Sequence, residues 1–326
     1  MKTYSQSILA LTWVILLLAM QPYDALSRQS TGMHFLLVGP SAHNMGASDG
    51  HTAALTGASA IYLNPALLSL EKQSSATVSY MVWPATDTQN SFAGLVYKSG
   101  RQAFGVALLS SLNDDIPART GATTNPDGYF ALRYFSLAGS YSRNIGPLAF
   151  GFTGMYLYEQ FFRQDASGFA VNTGLALNLL EERARLGVSL RNLGSMQDLA
   201  ETATRLPTLL SVGTDIQLLQ LSTSAIDDEI PLLISVVADY NIPLNEVSGS
   251  REGSILAQDD GYLNAGIEVN IAEIIDLRAG LRTGATERRL NFGAGLFVSD
   301  FYFNYAFLPF QSGFGVAHAV SLQYYF

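Results

Sequence analysis

Apolar residues recur at every second position in a long series of short segments that begins at residue 74 and continues to the C-terminus. In 275–282, for example, IDLRAGLR places Ile, Leu, Ala and Leu on one face and Asp, Arg, Gly and Arg on the other. A period of two predicts β-strands. Fourteen strands are predicted in this way, at 74–82, 90–98, 103–110, 130–143, 148–160, 168–178, 183–192, 208–217, 231–240, 262–271, 275–282, 289–298, 301–307 and 316–326.

The faces of these strands and the links between them favour a barrel. One wholly apolar face opposite a polar or glycine face is what a lipid-facing barrel strand requires, although the strands of a soluble sandwich also alternate. Short links follow even-numbered predicted strands, at 99–102, 144–147, 179–182, 272–274 and 299–300. Longer links follow odd-numbered strands, at 111–129, 193–207 and 241–261. The sequence therefore predicts an all-β fold, a fourteen-stranded antiparallel transmembrane β-barrel.

One link breaks this rhythm. Residues 218–230, LLQLSTSAIDDEI, form a long link on the side where the other links are short. We expect a short helix here, at the rim of the barrel.

The last predicted strand ends on an aromatic residue. Val320, Leu322, Tyr324 and Phe326 alternate up to the C-terminus. This ending resembles the terminal signal by which bacterial outer-membrane barrels are recognised for assembly. The resemblance implies that Tyr324 and Phe326 take part in barrel assembly.

Composition agrees with an exported membrane protein. Only 14% of the 326 residues are charged, against about 25% in an ordinary soluble protein. The chain has no cysteine, which excludes a disulfide scaffold and a thiolate metal site. Its net charge of −9 and its lack of a basic cluster argue against nucleic acid as a partner, so the expected partner is outer-membrane lipid.

The first 27 residues resemble a secretory signal peptide. Lys2 gives a positive start, residues 8–20 are apolar, and Ala25-Leu26-Ser27 is a small-x-small cleavage site. The apolar run is shorter than the roughly 18–20 residues that span a bilayer, so cleavage is favoured over anchoring. We therefore expect a signal peptide at 1–27, an N-terminal plug at 28–72 and a barrel at 73–326, in the bacterial outer membrane.

The stretch between the signal and the strands, 35–68, has a different character. It is rich in Gly, Ala and Ser, carries almost no charge and ends in Asn64-Pro65-Ala66. A proline biases the residue before it away from the helical region, and small residues allow close backbone packing. Such a segment is too apolar for an exposed linker and too broken for one long helix. We expect a compact insert that occupies a cavity.

The same stretch carries a family resemblance. Its pattern is similar to the start of PorV/PorQ-type outer-membrane proteins, with the PorQ side favoured, and these resemble the FadL-type long-chain fatty-acid transporter barrels. In that group an N-terminal hatch ending in Asn-Pro-Ala plugs a fourteen-stranded barrel. Ala47 departs from the family pattern, which often has a second glycine there. The resemblance implies that the plug motif consists of Met45, Gly46, Ser59, Tyr62, Asn64, Pro65 and Ala66.

No catalytic or metal-binding pattern is recognised, and no cofactor is expected. The histidines at 34, 43, 51 and 318 have no established ligand spacing, and spacings of 9 and 8 give the first three no common helical face. His318 and Ser321 are three residues apart on one strand and so should point to opposite faces. No Gly-x-Ser-x-Gly elbow is present. The sequence therefore predicts a non-enzymatic protein.

Charged residues share one face of several predicted strands. By parity, Arg185, Arg191 and Asp215 face inward. A denser group is expected on three consecutive strands, as a polar lining of the lumen formed by Glu268, Asp276, Arg278, Arg282 and Arg289. Such a lining could select a solute or engage the plug, or it could be a structural network that pairs buried charges.

Two functions remain open at this point. The PorV/PorQ resemblance implies a non-enzymatic accessory role in type IX protein secretion, in which the barrel binds or tethers exported cargo beside other secretion components. The alternative is a passive outer-membrane channel for a hydrophobic small molecule, as in the fatty-acid transporter barrels. Fold alone does not decide between them.

Overall fold

The computed structural model describes residues 31–83, 87–122, 124–199, 201–225, 228–245, 261–284, 288–311, 313 and 315–326. The predicted signal peptide and most of the 241–261 link lie outside these residues. The described residues form sixteen strands: β1 Ser75–Trp83, β2 Thr88–Ser99, β3 Gln102–Ala118, β4 Gly128–Ile145, β5 Leu148–Phe161, β6 Gln164–Leu179, β7 Ala184–Met196, β8 Asp198–Leu199, β9 Thr202–Ala203, β10 Leu209–Ala225, β11 Asp228–Pro243, β12 Tyr262–Ile271, β13 Ile275–Arg282, β14 Leu290–Val298, β15 Phe301–Pro309 and β16 Val316–Tyr325.

Fourteen of these strands form one closed antiparallel barrel, and β8 and β9 form a separate two-stranded hairpin in the link that follows β7. Each barrel strand pairs with its neighbour along the chain, and β16 returns to pair with β1, from Ser75 opposite Tyr325 to Val82 opposite His318. The predicted fold class and strand number are therefore confirmed.

The expected helix in 218–230 is wrong. Strand β10 continues to Ala225 and β11 begins at Asp228, so these residues form a long hairpin. The register shifts between Gln217 and Leu219, and Leu218 and Leu219 are both exposed. A bulge of this kind interrupts the period of two, which hides the strand from a search for alternation. The corrected link is short, as on the other strands at this end.

The links define the two ends of the barrel. The short-link end carries the links 100–101, 146–147, 180–183, 226–227, 272–274 and 299–300, together with the start of β1 and the end of β16. The long-link end carries the links 84–87, 119–127, 197–208, 244–261, 283–289 and 310–315, and it also carries one short link, 162–163.

Burial in the strands is inverted relative to a water-soluble protein. In β15, Phe301, Phe303, Tyr305 and Phe307 are exposed, whereas Asn304 is buried. In β13 the leucines are exposed and the arginines are buried. A soluble protein places its large apolar side chains inside, so a continuous apolar exterior is the surface that contact with lipid requires.

Ahead of the barrel, residues 31–74 form the N-terminal segment. It contains two short α-helices, α1 (Ala42–Gly46) and α2 (Ala60–Leu63), and 3₁₀ turns at His34–Leu37, Gly57–Ser59 and Pro65–Leu70. Most of its residues are buried. In the part of the chain that the structure describes, no helix is long and apolar enough to cross a membrane.

The N-terminal segment runs from one end of the barrel to the other. At the long-link end, the Gly32 amide donates to the carbonyl of Arg205 at 2.9 Å. At the short-link end, the segment continues directly into β1 at Ser75. Between these points α1 contacts β13–β16, and the 3₁₀ turn Pro65–Leu70 contacts β2–β6. The segment therefore touches strands on opposite sides of the barrel.

Candidate functional site

The Asn64-Pro65-Ala66 motif forms a capped helical start that is attached to the barrel wall. Asn64 is extended (φ −152°, ψ 100°), and its Oδ1 accepts a hydrogen bond from the Ala66 amide at 3.1 Å. An asparagine N-cap followed by proline is a favoured way to begin a helical turn, because proline has no N–H to leave unpaired. Asn64 Nδ2 donates to the carbonyls of Thr52 at 2.7 Å and Leu175 at 3.2 Å. One side chain thus connects two parts of the N-terminal segment with β6.

Glycine allows a close approach between the N-terminal segment and the wall. A Cβ added to Gly46, at the end of α1, would lie 2.9 Å from the Cα of Gly293 on β14. A separation below about 3.0 Å is not tolerated between such atoms, so only glycine fits without a shift of backbone.

The other residues of the predicted plug motif are also buried in contacts with the barrel. Tyr62 donates its hydroxyl to the carbonyl or hydroxyl oxygen of Ser136 on β4, each at 3.1 Å. The Ala66 carbonyl accepts from Ser142 Oγ at 2.9 Å. Met45 packs in an apolar cluster with residues of β1, β15 and β16, and Ser59 is fully buried.

Buried charged groups hold the N-terminal segment from several sides. Arg288 Nη2 lies 2.6 Å from Asp49 Oδ2, and both side chains are almost completely buried. Asp239 Oδ2 accepts from the amide of Thr52 at 2.8 Å and from its hydroxyl at 2.7 Å. Arg185 Nη1 donates to the Ala53 carbonyl at 2.9 Å. Burial of a charge is costly unless it is paired, and each of these groups has a partner.

The predicted polar lining is brought together in part. Arg278 is buried and donates from Nη2 to the hydroxyl of Tyr302 at 2.6 Å, and that hydroxyl donates to Asp276. Arg282 is also buried and lies over the ring of Tyr262, with 4.2 Å from Cζ to the centroid. Glu268 is partly buried and faces the N-terminal segment.

Arg289 was assigned to the wrong position. It is exposed, and the neighbouring Arg288 takes the buried position against Asp49. Strand β14 begins only at Leu290, so the alternation of inward and outward side chains along the strand does not include residue 289. Sequence reasoning missed Arg288 for the same reason.

Two histidines with no common helical face are nevertheless neighbours. His43 lies in α1 and His51 lies beyond it, after the chain has turned at Ser48 and Asp49, which both have positive φ. Their rings are perpendicular, with centroids 5.2 Å apart. Both Nε2 atoms point to Glu268 Oε1, at 3.6 Å for His43 and 3.2 Å for His51. The spacing argument considered a single helix and so could not find this cluster.

A polar cavity of about 490 Å³ opens beside this cluster. Its lining includes His43, the 3₁₀ turn at Gly57, Glu71 and residues of the links 272–274 and 299–300, which places it at the short-link end. Glu71 Oε1 accepts from the Gly57 amide at 2.7 Å. Burial raises the pKa of the Glu71 carboxyl, and this hydrogen bond opposes the rise.

On the exterior, the structure separates residues that a catalytic hypothesis would need together. His318 is exposed and its Nδ1 lies 2.6 Å from the Tyr305 hydroxyl, whereas Ser321 is buried on the opposite face of β16. Tyr324 and Phe326 are exposed at the short-link end, with ring centroids 5.8 Å apart.

Comparison with known proteins identifies the fold. No protein-family model matches the sequence, and no curated protein matches it. The toluene transporter TbuX of Ralstonia pickettii is similar in structure, with a TM-score of 0.55 and 13% identity, over 89% of this chain and 98% of that one. The CymD monoaromatic hydrocarbon channel gives a TM-score of 0.54 and 11% identity, over 93% and 99%. The toluene transporter TodX of Pseudomonas putida gives 0.55 and 12%, over 87% and 96%.

These similarities define the class of fold. The chain is a closed fourteen-stranded antiparallel barrel of the kind found in these transporters and channels, and it spans nearly their whole length. At 11–13% identity the likeness shows the shared fold alone. None of the three is a PorV or PorQ protein, so that resemblance rests on the N-terminal residues.

Proposed function

We propose that this protein is a non-enzymatic barrel of the bacterial outer membrane that admits a hydrophobic small molecule by passive transport. The observation that carries the proposal is the fold shared with proteins named as toluene transporters and as a monoaromatic hydrocarbon channel. The apolar exterior supports placement in a membrane, and a cleaved signal peptide at 1–27 would deliver the chain there.

In this proposal residues 28–72 act as a plug. The support is that the N-terminal segment is buried, extends between the two ends of the barrel and contacts strands on opposite sides. A solute would then pass beside or through this segment, and the segment would set the rate of passage.

A role in type IX secretion is the second candidate. It is favoured by the resemblance of the N-terminal residues, above all Met45-Gly46 and Asn64-Pro65-Ala66, to PorV/PorQ proteins. In that role, secretion components or secreted cargo would bind the long links, and the lumen would stay closed to solutes.

The two candidates are separated by uptake and partner experiments on the same protein. We expect bacterial cells that carry the barrel in their lipopolysaccharide-covered outer membrane to take up radiolabelled toluene faster than matched cells that lack it. Equal rates would exclude the transport proposal. Mass spectrometry of the tagged barrel, purified from detergent-solubilised outer membrane, tests the alternative. Recovery of secreted proteins that share a C-terminal sorting domain would support the secretion role.

A designed disulfide provides a matched control for the uptake measurement. The Ala47 Cβ lies 3.0 Å from the Cβ position of Gly266 on β12, which a modest shift would bring to the usual separation of about 3.5–4.5 Å. The chain has no other cysteine, so Ala47→Cys/Gly266→Cys forms one bridge. If the segment gates passage, oxidation slows uptake and a reductant restores it, while the single variant Ala47→Cys stays unaffected.

A further inference from the structure

His43, His51 and Glu268 gather three metal-ligating atoms at the contact between the N-terminal segment and β12. One donor atom from each of the three residues, a ring nitrogen of each histidine and a carboxylate oxygen of Glu268, lies within 4.8 Å of the other two. Their sources are independent parts of the chain, because His43 belongs to α1, His51 to the following loop and Glu268 to the barrel. The three side chains are therefore brought together by the fold and not by closeness in the sequence.

The separations fit a tetrahedral ion. Zinc binds nitrogen and oxygen at roughly 2.0–2.2 Å, so the donor atoms of a tetrahedral site lie about 3.3–3.6 Å apart. The distances from Glu268 Oε1 are 3.2 Å to His51 Nε2 and 3.6 Å to His43 Nε2. Small rotations of the side chains therefore suffice for coordination.

The burial of His51 indicates that its side chain is committed to this cluster. It is completely buried, and Glu268 is the hydrogen-bond partner of its Nε2. Its Nδ1 has no hydrogen-bond partner among the described residues. The position of the ring is thus fixed by packing and by the contact with Glu268.

The donor set selects the class of ion. Two imidazoles and one carboxylate suit zinc and similar first-row transition metals, whereas calcium and magnesium prefer oxygen ligands throughout. Three protein ligands leave a fourth position for water.

The polar cavity at the short-link end gives an ion access to the cluster. His43 lines this cavity, and so do the acidic residues Glu273 and Asp300, which would attract a cation, and Lys72, which would oppose it. Arg278 is directly opposite Glu268 on the neighbouring strand, and its positive charge opposes the binding of a cation. Its Nη1 lies 3.5 Å from the His43 carbonyl, and its Nη2 is engaged with Tyr302 and Asn304.

We propose that His43, His51 and Glu268 bind a zinc-class divalent ion that fastens the N-terminal segment to the barrel wall. The ion would join two points of the segment to one strand, so the segment could not leave β12 without breaking metal–ligand bonds. This inference does not depend on the transported or secreted substrate.

The test is zinc binding by the full-length purified barrel in detergent after treatment with a chelator. We expect about one zinc ion per chain after dialysis, and a thermal unfolding temperature that rises with zinc concentration because the ion binds the folded state. Loss of a ligand in His43→Ala or Glu268→Gln should weaken binding at least about 10-fold. His318→Ala is the matched control, because His318 lies on the exterior, and it should leave zinc affinity unchanged.

Coordination by these residues is checked separately from affinity. Cobalt substituted for zinc should give the visible absorption of four-coordinate Co²⁺, and His43→Ala should remove it. Heat-modifiable migration on gels verifies that each variant is folded. Absence of stoichiometric zinc in the wild-type barrel, or equal affinity in the folded variants, would overturn the proposal and leave a cluster held by hydrogen bonds.

Discussion

Arg288 Nη2 and Asp49 Oδ2 lie 2.6 Å apart in a nearly water-free position, where the link before β14 meets the N-terminal segment. The guanidinium also lies 5.8 Å from the ring centroid of Trp83 on β1. The pair therefore fastens the turn after α1 to the barrel wall.

Replacement of Arg288 tests how strongly this pair holds. Arg288→Met leaves the Asp49 carboxylate buried without its partner, a change that costs about 3–5 kcal/mol when a buried pair is broken. We expect a lower urea midpoint in refolding and unfolding experiments. The adjacent Arg289→Met affects an exposed residue and should change the midpoint little. Addition of Asp49→Asn to Arg288→Met should recover part of the loss, and a lack of recovery would contradict the pairing.

Asn64 tests the attachment of the Asn-Pro-Ala turn. Asn64→Ala removes the N-cap acceptor and the hydrogen bonds to Thr52 and Leu175, which together contribute about 2–4 kcal/mol. We expect a looser N-terminal segment and greater leakage of small solutes. Single-channel conductance and sensitivity of the host bacterium to antibiotics measure this.

The matched control for Asn64 is Asn125→Ala, at an exposed position of the link 119–127. Unchanged conductance and antibiotic sensitivity in Asn64→Ala would show that Asn64 has no closing role.

Gly46 tests the closeness of α1 to the wall. A methyl group at Gly46 would meet the backbone of Gly293 at 2.9 Å, and backbone cannot rotate away. Gly46→Ala should therefore destabilise the protein by about 1–3 kcal/mol, although alanine favours a helix over glycine. Gly139→Ala is the control, because a Cβ at Gly139 meets nothing within 4 Å. Thermal unfolding that is unchanged in Gly46→Ala would contradict the close contact.

Glu71 gives a pH-dependent prediction. Because burial raises the pKa of Glu71 above its ordinary 4.5, the folded state binds the proton more tightly than the unfolded state. This contribution to stability is complete below pH 4.5 and is lost as the pH rises through the raised value. Glu71→Gln keeps an acceptor for the Gly57 amide and stays neutral. The difference in unfolding temperature between this variant and the wild type should therefore shift in favour of the variant as the pH rises.

The pH comparison covers roughly pH 4 to 8, where carboxyl groups with raised pKa values titrate. Glu181→Gln, in the exposed turn 180–183, is the control and should follow the wild type. A difference between Glu71→Gln and the wild type that stays constant with pH would contradict the raised pKa.

The barrel was predictable because its strands repeat a local rule. A period of two needs no knowledge of distant residues, and it located β13, Ile275–Arg282, to the residue. It failed at Leu218 and Leu219, where a bulge exposes consecutive residues, and at Arg289, which lies before β14 begins.

The candidate site was less predictable because it is built from distant parts of the chain. Asn64 could be recognised from its neighbours, since its cap and the following proline are local. The approach of His51 to Glu268 depends on how the N-terminal segment lies against β12, and neither residue carries a signal of it in sequence. A search for these residues in the sequence would have had to look for three side chains that can bind a metal, on three different elements, each predicted independently to be buried.

The pairing of β1 with β16 has a consequence for assembly. Every other barrel strand pairs with a strand close to it along the chain, but this seam joins Ser75 to Tyr325. A contact between such distant residues carries the largest loop-closure entropy and should form late. The N-terminal segment is continuous with β1 and contacts strands on opposite sides of the barrel. If it acts as the proposed plug, the ring closes around it, and its correct placement is a step in the assembly of the barrel.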